Sequence, residues 1–348
     1  MSGVPEHQKV FSVQGTLYTV RKCIGTGGTS VVYEINDKNN CSFALKRVDI
    51  HGNPAPLNSL RGEIELLQHL SSEARVVQLI SYEITEKSLM LVMELGEMDL
   101  RVLLKHNDFG LNTAFIRYWA TEVFLCVKAV HSYEIVHSDL KPENFLVVKG
   151  HLKIIDFGIA NIVPDYTVNV HRDTKMGTVS YMAPEAVCGQ TTFQGPDFKV
   201  GKPTDIWSCG CILYKMVYGC TPLEQYGRQQ LAVLESESLQ INFPKVVKSR
   251  RIPKGLLELM HGCLIRDPKK RLTAEEALQG IFLNPRSVDF EFIQDLIVKS
   301  VAWGQKFKSE PTTERLHDLI QGVWTKVIEL NDMDLEPEPE PHPDPPAN

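Results

Sequence analysis

Apolar and polar positions alternate in short runs over the first quarter of the chain. Tyr18, Val20 and Cys23–Ile24 lead into Gly25-Thr26-Gly27-Gly28-Thr29-Ser30. Val31 to Ile35 and Phe43 to Val48 repeat the strand pattern around a turn at Asp37 to Asn40. Short β-rich runs broken by Gly and Asn predict strands. The period then changes: Leu60, Ile64, Leu67 and Leu70 fall on one helical face. Two more strands are predicted over Val76 to Tyr82 and Ser88 to Met93. After Gly96 helical spacing dominates. Ile116, Trp119, Ala120, Val123, Phe124 and Val127 form one stripe, and Ile206 to Val217 reads as a buried helix.

The ends read differently. Met1 to Val10 is polar and expected to be loose. Asp289 to Trp303 and Glu310 to Leu330 predict two late helices. The second carries a stripe of Leu316, Leu319, Ile320, Val323, Trp324, Val327 and Ile328 that must be buried on something, either the lower lobe or a partner protein. From Glu336 the chain alternates Glu and Pro, which cannot bury a core and predicts disorder. The expected organisation is an N-terminal segment (1–15), a small antiparallel β-sheet lobe with one helix (16–95), a mainly helical lobe (96–284), a helical extension (285–331) and a disordered acidic, Pro-rich tail (332–348). The fold class is α+β and bilobal.

Composition narrows the function classes. The chain has 348 residues, 43% of them hydrophobic, enough for a sizeable core. A net charge of −6 disfavours non-specific nucleic-acid binding. No apolar run is long enough for a membrane span, and no signal peptide is present. The 8 cysteines contain no C-x-x-C, which favours reduced thiols and an intracellular protein.

The chemistry concentrates at Ile135 to Asn144, reading I-V-H-S-D-L-K-P-E-N. Asp139 offers a proton acceptor, Lys141 a cation and Asn144 a metal-binding amide, the set that phosphoryl transfer requires. Asp156-Phe157-Gly158 follows an apolar strand and offers a second metal ligand. Upstream, the Gly-rich hairpin lets backbone N–H groups approach phosphate oxygens. Alone it would mark a plain hairpin; Lys46 at the right distance gives it weight. Glu63 flanks the Leu60–Leu70 stripe and is expected to hold Lys46, with Glu65 as the alternative. Met93-Glu94-Leu95-Gly96 is the candidate hinge. Asp205 opens a buried helix as a cap that also ties down the catalytic loop, and Arg271 is expected to pair with Glu185.

These motifs, in this order, are the protein-kinase signature, and the chain resembles a eukaryotic protein kinase from about Phe11 to Phe282. Within that group it is similar to the monopolar-spindle (TTK) family of dual-specificity checkpoint kinases. The residues that carry this resemblance are Ile24-Gly25-x-Gly27-Gly28-x-Ser30, Leu91-Val92-Met93-Glu94, Val136 to Leu146, Lys153 to Asn161 and Gly177-Thr178-Val179-x-Tyr181-Met182. The resemblance implies a kinase fold using ATP and magnesium. It gives Lys46 and Glu63 the α- and β-phosphates, Asp139 the proton, Asn144 and Asp156 the metal, and Thr178, near Asp139 and Lys141, a part in placing the acceptor. Ile24 to Ser30 cover the phosphates. Met93, Glu94, Leu95 and Gly96 hold adenine, with Val32, Ala44 and Leu146 on its faces.

It further implies protein substrates with Ser, Thr and also Tyr acceptors, autophosphorylation at Thr167, checkpoint signalling, a nuclear and cytoplasmic location, and kinetochore or spindle partners. Ser138 replaces the Arg common elsewhere, so a phosphate on Thr167 would need Arg172, Lys175 or Arg61. Glu143 stands where relatives often carry a small residue. It either faces a basic substrate residue or pairs with a cation of this chain. A pseudokinase or scaffold on the same fold is the alternative, but the chain retains Lys46, Asp139, Asn144 and Asp156, which such proteins typically lose.

Overall fold

The computed structural model describes residues 9–27, 30–50, 55–106, 111–157, 161–162, 179–187, 190–192, 195–197 and 201–285. The two late helices and the acidic tail expected from the sequence lie outside these residues.

The upper lobe is a six-stranded antiparallel sheet with order β1-β2-β3-β4-β6-β5. Its strands are β1 (Val10–Val13), β2 (Thr16–Thr26), β3 (Ser30–Asn36), β4 (Ser42–Asp49), β5 (Leu79–Ile84) and β6 (Ser88–Glu94). The sheet starts at Val10, ahead of residue 16. Gln14 and Gly15, at φ 48° and 78°, make the tight β1–β2 turn whose backbone twist matches the strands. That turn reaches β5, where Gln14 N–H donates to Glu83 Oε2 at 2.7 Å, so the sheet curls. Alternate residues serve opposite faces. Leu45 and Val92 join a cluster with Val20 and Ile35. Val48, Leu89 and Leu91 pack with Ile64 of α1 (Ala55–His69).

The strand expected from Val76 begins at Leu79 instead. Val76 bridges to Ile154 of the lower lobe. Val77 N–H donates to Ile154 O at 3.0 Å, and Ile154 N–H to Arg75 O at 2.9 Å. Arg75 also donates to the buried Glu122 at 2.5 Å. An apolar stretch that reads locally as strand is thus spent on joining the lobes.

The lower lobe opens with β7 (Met98–Asp99), α2 (Leu100–His106) and α3 (Thr113–Ser132). Asn112 caps α3 by accepting from Phe115 N at 3.1 Å. β8 (Ile135–Val136) pairs with β11 (Asn161–Ile162), while β9 (Phe145–Val148) and β10 (His151–Ile154) form a hairpin. After the short pair β12 (Gln190–Thr192) and β13 (Gly195–Asp197) come α4 (Lys202–Tyr218), α5 (Gln230–Glu235), the hairpin β14 (Val246–Val247) and β15 (Arg250–Arg251), α6 (Lys254–Cys263) and α7 (Ala274–Gln279). The stripe predicted on α3 is buried at Ile116, Ala120, Val123, Phe124 and Val127 and packs with α4 around Trp207. Close approach of α4 and α6 requires Gly210, where an added Cβ would lie 2.8 Å from Cys263 Cβ.

Arg271 closes the bottom of this core. Its side chain is fully buried, and it donates to Glu185 Oε1 at 2.6 Å and Glu185 Oε2 at 3.0 Å. It also donates to the carbonyls of Pro203, Ile265 and Arg266. This is the pairing expected from the sequence.

Candidate active site

Strand register builds the upper half of the site. Directly opposed residues share a sheet face, and the pairs Gly25–Val32, Val32–Lys46 and Ala44–Met93 place these side chains together. Ile24, Gly25 and Thr26 end β2, Gly27 follows it, and Ser30 opens β3. Gly27 N–H closes the turn on Ser30 O at 2.7 Å. Gly28 and Thr29 lie outside the described residues.

Lys46 is the centre. Its Nζ stands 3.0 Å from Glu63 Oε1 and 3.1 Å from Asp156 Oδ1. Glu63 is buried on α1, whereas Glu65 is exposed, so the helix face decides between the two candidates. Burial alone would lower the Lys46 pKa, but the Glu63 and Asp156 carboxylates outweigh it and hold it above the ordinary lysine value. Burial pushes Asp156 the other way, and Lys46 overcomes it to hold the carboxyl below its ordinary value. Both groups therefore stay charged through the neutral range.

The catalytic turn forms the lower half. Lys141 Nζ meets Asp139 Oδ2 at 2.7 Å, and Asn144 Nδ2 donates to Asp139 O at 2.8 Å. That bond leaves Oδ1 as the amide's acceptor toward a cation. Ile155 N–H donates to Asn144 O at 3.0 Å, tying the turn to the strand that presents Asp156.

The frame behind the turn ties down the loop as expected, but not as a helix cap. Gly201, not Asp205, is the N-cap of α4. Asp205 lies inside the first turn and spends its carboxylate on the catalytic loop. It accepts from His137 N at 2.9 Å and Ser138 N at 2.8 Å, and lies 2.9 Å from His131 Nε2. Ser138 follows at φ 68°, a costly backbone state for a non-glycine residue that these bonds hold.

The sequence reading missed three contributors. His137 accepts from Asp139 N–H through Nδ1 at 3.3 Å. Its Nε2 therefore carries the proton and donates to Ile155 O at 3.2 Å, while its ring packs 5.3 Å from that of the buried Phe157. Lys153 and Gln78 hold the hinge: Lys153 Nζ lies 2.6 Å from Glu94 Oε2, and Glu94 N–H donates to Gln78 O at 3.0 Å. Beyond its place at the head of the family-like run Lys153 to Asn161, the sequence signal for Lys153 is a cation between the buried Leu152 and Ile154. At the hinge, Leu95 and Gly96 follow β6, and a Cβ on Gly96 would stand 2.2 Å from Leu146 Cγ. Leu146 thus closes against the hinge backbone. Glu143 lies 3.6 Å from Arg101 Nε, so a cation of this chain meets it. Thr178, Gly158, Tyr166, Thr167, Thr174, Arg172 and Lys175 lie outside the described residues. Arg61 is exposed on α1.

Two facing sets, a lysine held by a helix glutamate and an acid–lysine–amide turn beneath it, suit a nucleotide triphosphate. Residues 18–283 match the protein kinase domain. The chain belongs to the protein kinase family. This kinase is 39% identical over 336 residues to the serine/threonine-protein kinase MPS1 of Saccharomyces cerevisiae, covering 93% of this chain and 44% of that protein. The serine/threonine-protein kinase mph1 of Schizosaccharomyces pombe is 39% identical over 305 residues, 81% of this chain and 45% of its own length. The dual specificity protein kinase TTK of Mus musculus is 36% identical over 285 residues, 80% of this chain and 33% of its own. The chain thus spans less than half the length of these relatives.

The donor set fits the cation that a kinase domain generally uses. Among the described residues no cluster of three or more His, Cys, Asp or Glu could hold a metal. One carboxylate and one amide oxygen suffice for a hard cation that takes its remaining ligands from phosphates and water. No described helix is long and apolar enough to cross a membrane.

Proposed function

We propose that the chain transfers the γ-phosphoryl group of ATP to Ser and Thr hydroxyls of proteins, and to Tyr as a second acceptor class. The observation that carries this is Lys46, bonded at once to Glu63 and Asp156. That contact needs α1 packed inward and Asp156 turned into the cleft, so the phosphate-binding half and the metal-binding half are aligned.

In this reading Lys46 orients the α- and β-phosphates, and Glu63 keeps it there. Asp139 accepts the acceptor's hydroxyl proton as that oxygen bonds to the γ-phosphorus. The bond to the bridging oxygen breaks, and ADP leaves. Lys141 neutralises charge on the moving phosphoryl group. Asn144 and Asp156 would hold magnesium, which when bound supplies charge neutralisation on the β- and γ-oxygens. Met93 to Gly96 hold the adenine edge, with Leu146, Val32 and Ala44 on its faces. Autophosphorylation at Thr167, a role for Thr178 in placing the acceptor, checkpoint signalling, and a nuclear, cytoplasmic, kinetochore or spindle location are proposed from the similarity to MPS1 and TTK kinases.

The test is turnover with ATP, magnesium and a generic protein substrate, with phosphosites mapped by mass spectrometry. Asp139→Asn and Asp156→Ala should each lose about a hundredfold or more in rate while the fold persists. Near-wild-type turnover in either variant would overturn the assignment and favour a binding module on the same fold.

A further inference from the structure

The β5–β6 ladder breaks where the hinge begins. Leu79 pairs with Met93, so the next rung joins Gln78 and Glu94. In a regular hydrogen-bonded antiparallel rung the two residues exchange both N–H···O=C bonds. Only one half of that exchange is made here. Glu94 N–H donates to Gln78 O at 3.0 Å. Gln78 N–H goes instead to the Glu94 side chain, 3.5 Å from Oε2. Gln78 is held in place by its own amide nitrogen, which donates to the carbonyls of Glu73 and Val76, each at 3.0 Å. A carboxylate therefore takes the donor that the Glu94 carbonyl would otherwise accept.

Lys153 fixes that substitution. Its Nζ lies 2.6 Å from the same Oε2, and the Lys153 and Glu94 side chains are 15% and 25% exposed. Glu94 ends β6 of the upper lobe, and Lys153 stands on β10 of the lower. The partly shielded pair keeps the carboxylate against Gln78. Without Lys153 the carboxylate would turn to water. The partly buried Gln78 N–H would then return to the Glu94 carbonyl, since a shielded donor left unpaired is costly. The next step rests on the proposed function, in which Met93 to Gly96 hold an adenine edge. A carbonyl released from its ladder accepts from an amino group and repels another acceptor. Adenine carries an amino group where guanine carries an oxygen. We propose that Lys153, acting through the Glu94 carboxylate, keeps the Glu94 carbonyl open to the base and so sets the preference for adenine over guanine nucleotides. Lys153 is a positioning residue that acts without touching the base.

Equilibrium titration of the full chain with ribose-labelled fluorescent ATP and GTP, in magnesium, tests this without relying on turnover. Wild type should bind ATP more tightly than GTP. Lys153→Met should cut the ATP-to-GTP affinity ratio about tenfold, because adenine loses a hydrogen bond and guanine no longer meets an opposed acceptor. Glu94→Ala, which removes the competing acceptor from the other side, should cut it by a similar factor. Lys153→Met/Glu94→Ala should fall no further than Glu94→Ala alone, because the lysine works only through the carboxylate. A lysine with a merely structural role would lower the melting temperature or weaken both nucleotides alike, and the ratio would stay. An unchanged ratio in either folded single variant, or effects that add in the double variant, would overturn the inference and leave the kinase reading standing. Folded wild-type protein that binds neither nucleotide would overturn both.

Discussion

Arg101 stands between two carboxylates at the rim of the catalytic turn, 3.4 Å from Asp99 Oδ2 and 3.6 Å from Glu143 Oε1. The side chains of Arg101 and Glu143 are 45% and 41% exposed, so solvent screens the pair and it contributes under about 1 kcal/mol. A contribution that small still biases specificity several-fold. Arg101 occupies the carboxylate that a basic substrate residue would need. A peptide library should therefore show at most a weak preference for Arg or Lys two places before the acceptor. Arg101→Ala should raise that preference several-fold, and adding Glu143→Ala should abolish the gain. Identical profiles for wild type and Arg101→Ala would mean that Glu143 never meets substrate.

Glycine shows how an element's surroundings set the sign of one substitution. On α1, Gly62 has nothing within 4 Å of where a Cβ would stand. Gly62→Ala should stabilise the kinase by about 0.5–1 kcal/mol, since Gly costs that much in a helix interior. After β6, Gly96→Ala would drive its methyl into Leu146, with Cγ at 2.2 Å and Cδ2 at 2.4 Å. Overpacking of this kind costs about 1–3 kcal/mol, here borne by Leu146 at the proposed adenine site, so the KM for ATP should rise about tenfold or more. Steady-state kinetics and thermal melts separate the two. What the sequence made legible follows the same division. Local periodicity placed α1, α3 and α4, and ordered motifs placed Lys46, Glu63, Asp139, Asn144 and Asp156. Features that depend on distant partners were hidden. Val76 reads as strand but bridges to Ile154. Asp205 ties down the loop as its place at the helix start implied, holding His137 and Ser138, but the cap itself is Gly201. Lys153 shows itself only once Glu94 is beside it.

Across the whole molecule, the lower lobe relies on a charge removed from water. Arg271 is fully buried and satisfied by Glu185 and three carbonyls. Arg271→Ala should cost about 3–5 kcal/mol by leaving Glu185 and those acceptors without it, a fall of roughly 10 °C in melting temperature for a domain this size. Arg271→Lys cannot reproduce the forked pairing and should recover only part of the loss. A melting temperature unchanged in Arg271→Ala would show that the pair is not a keystone. Asp205 carries a different consequence. The carboxylate that shapes the catalytic loop is contributed 68 residues after His137. A chain emerging from the ribosome therefore exposes Lys46, Asp139 and Asp156 before the frame that positions them has been synthesised. Until α4 has left the exit tunnel and packed against α3, His137 and Ser138 lack their acceptor, and the loop has no reason to adopt its strained shape. The order of synthesis thus acts as a delay, and competence for the proposed phosphate transfer arrives only with the lower lobe's core.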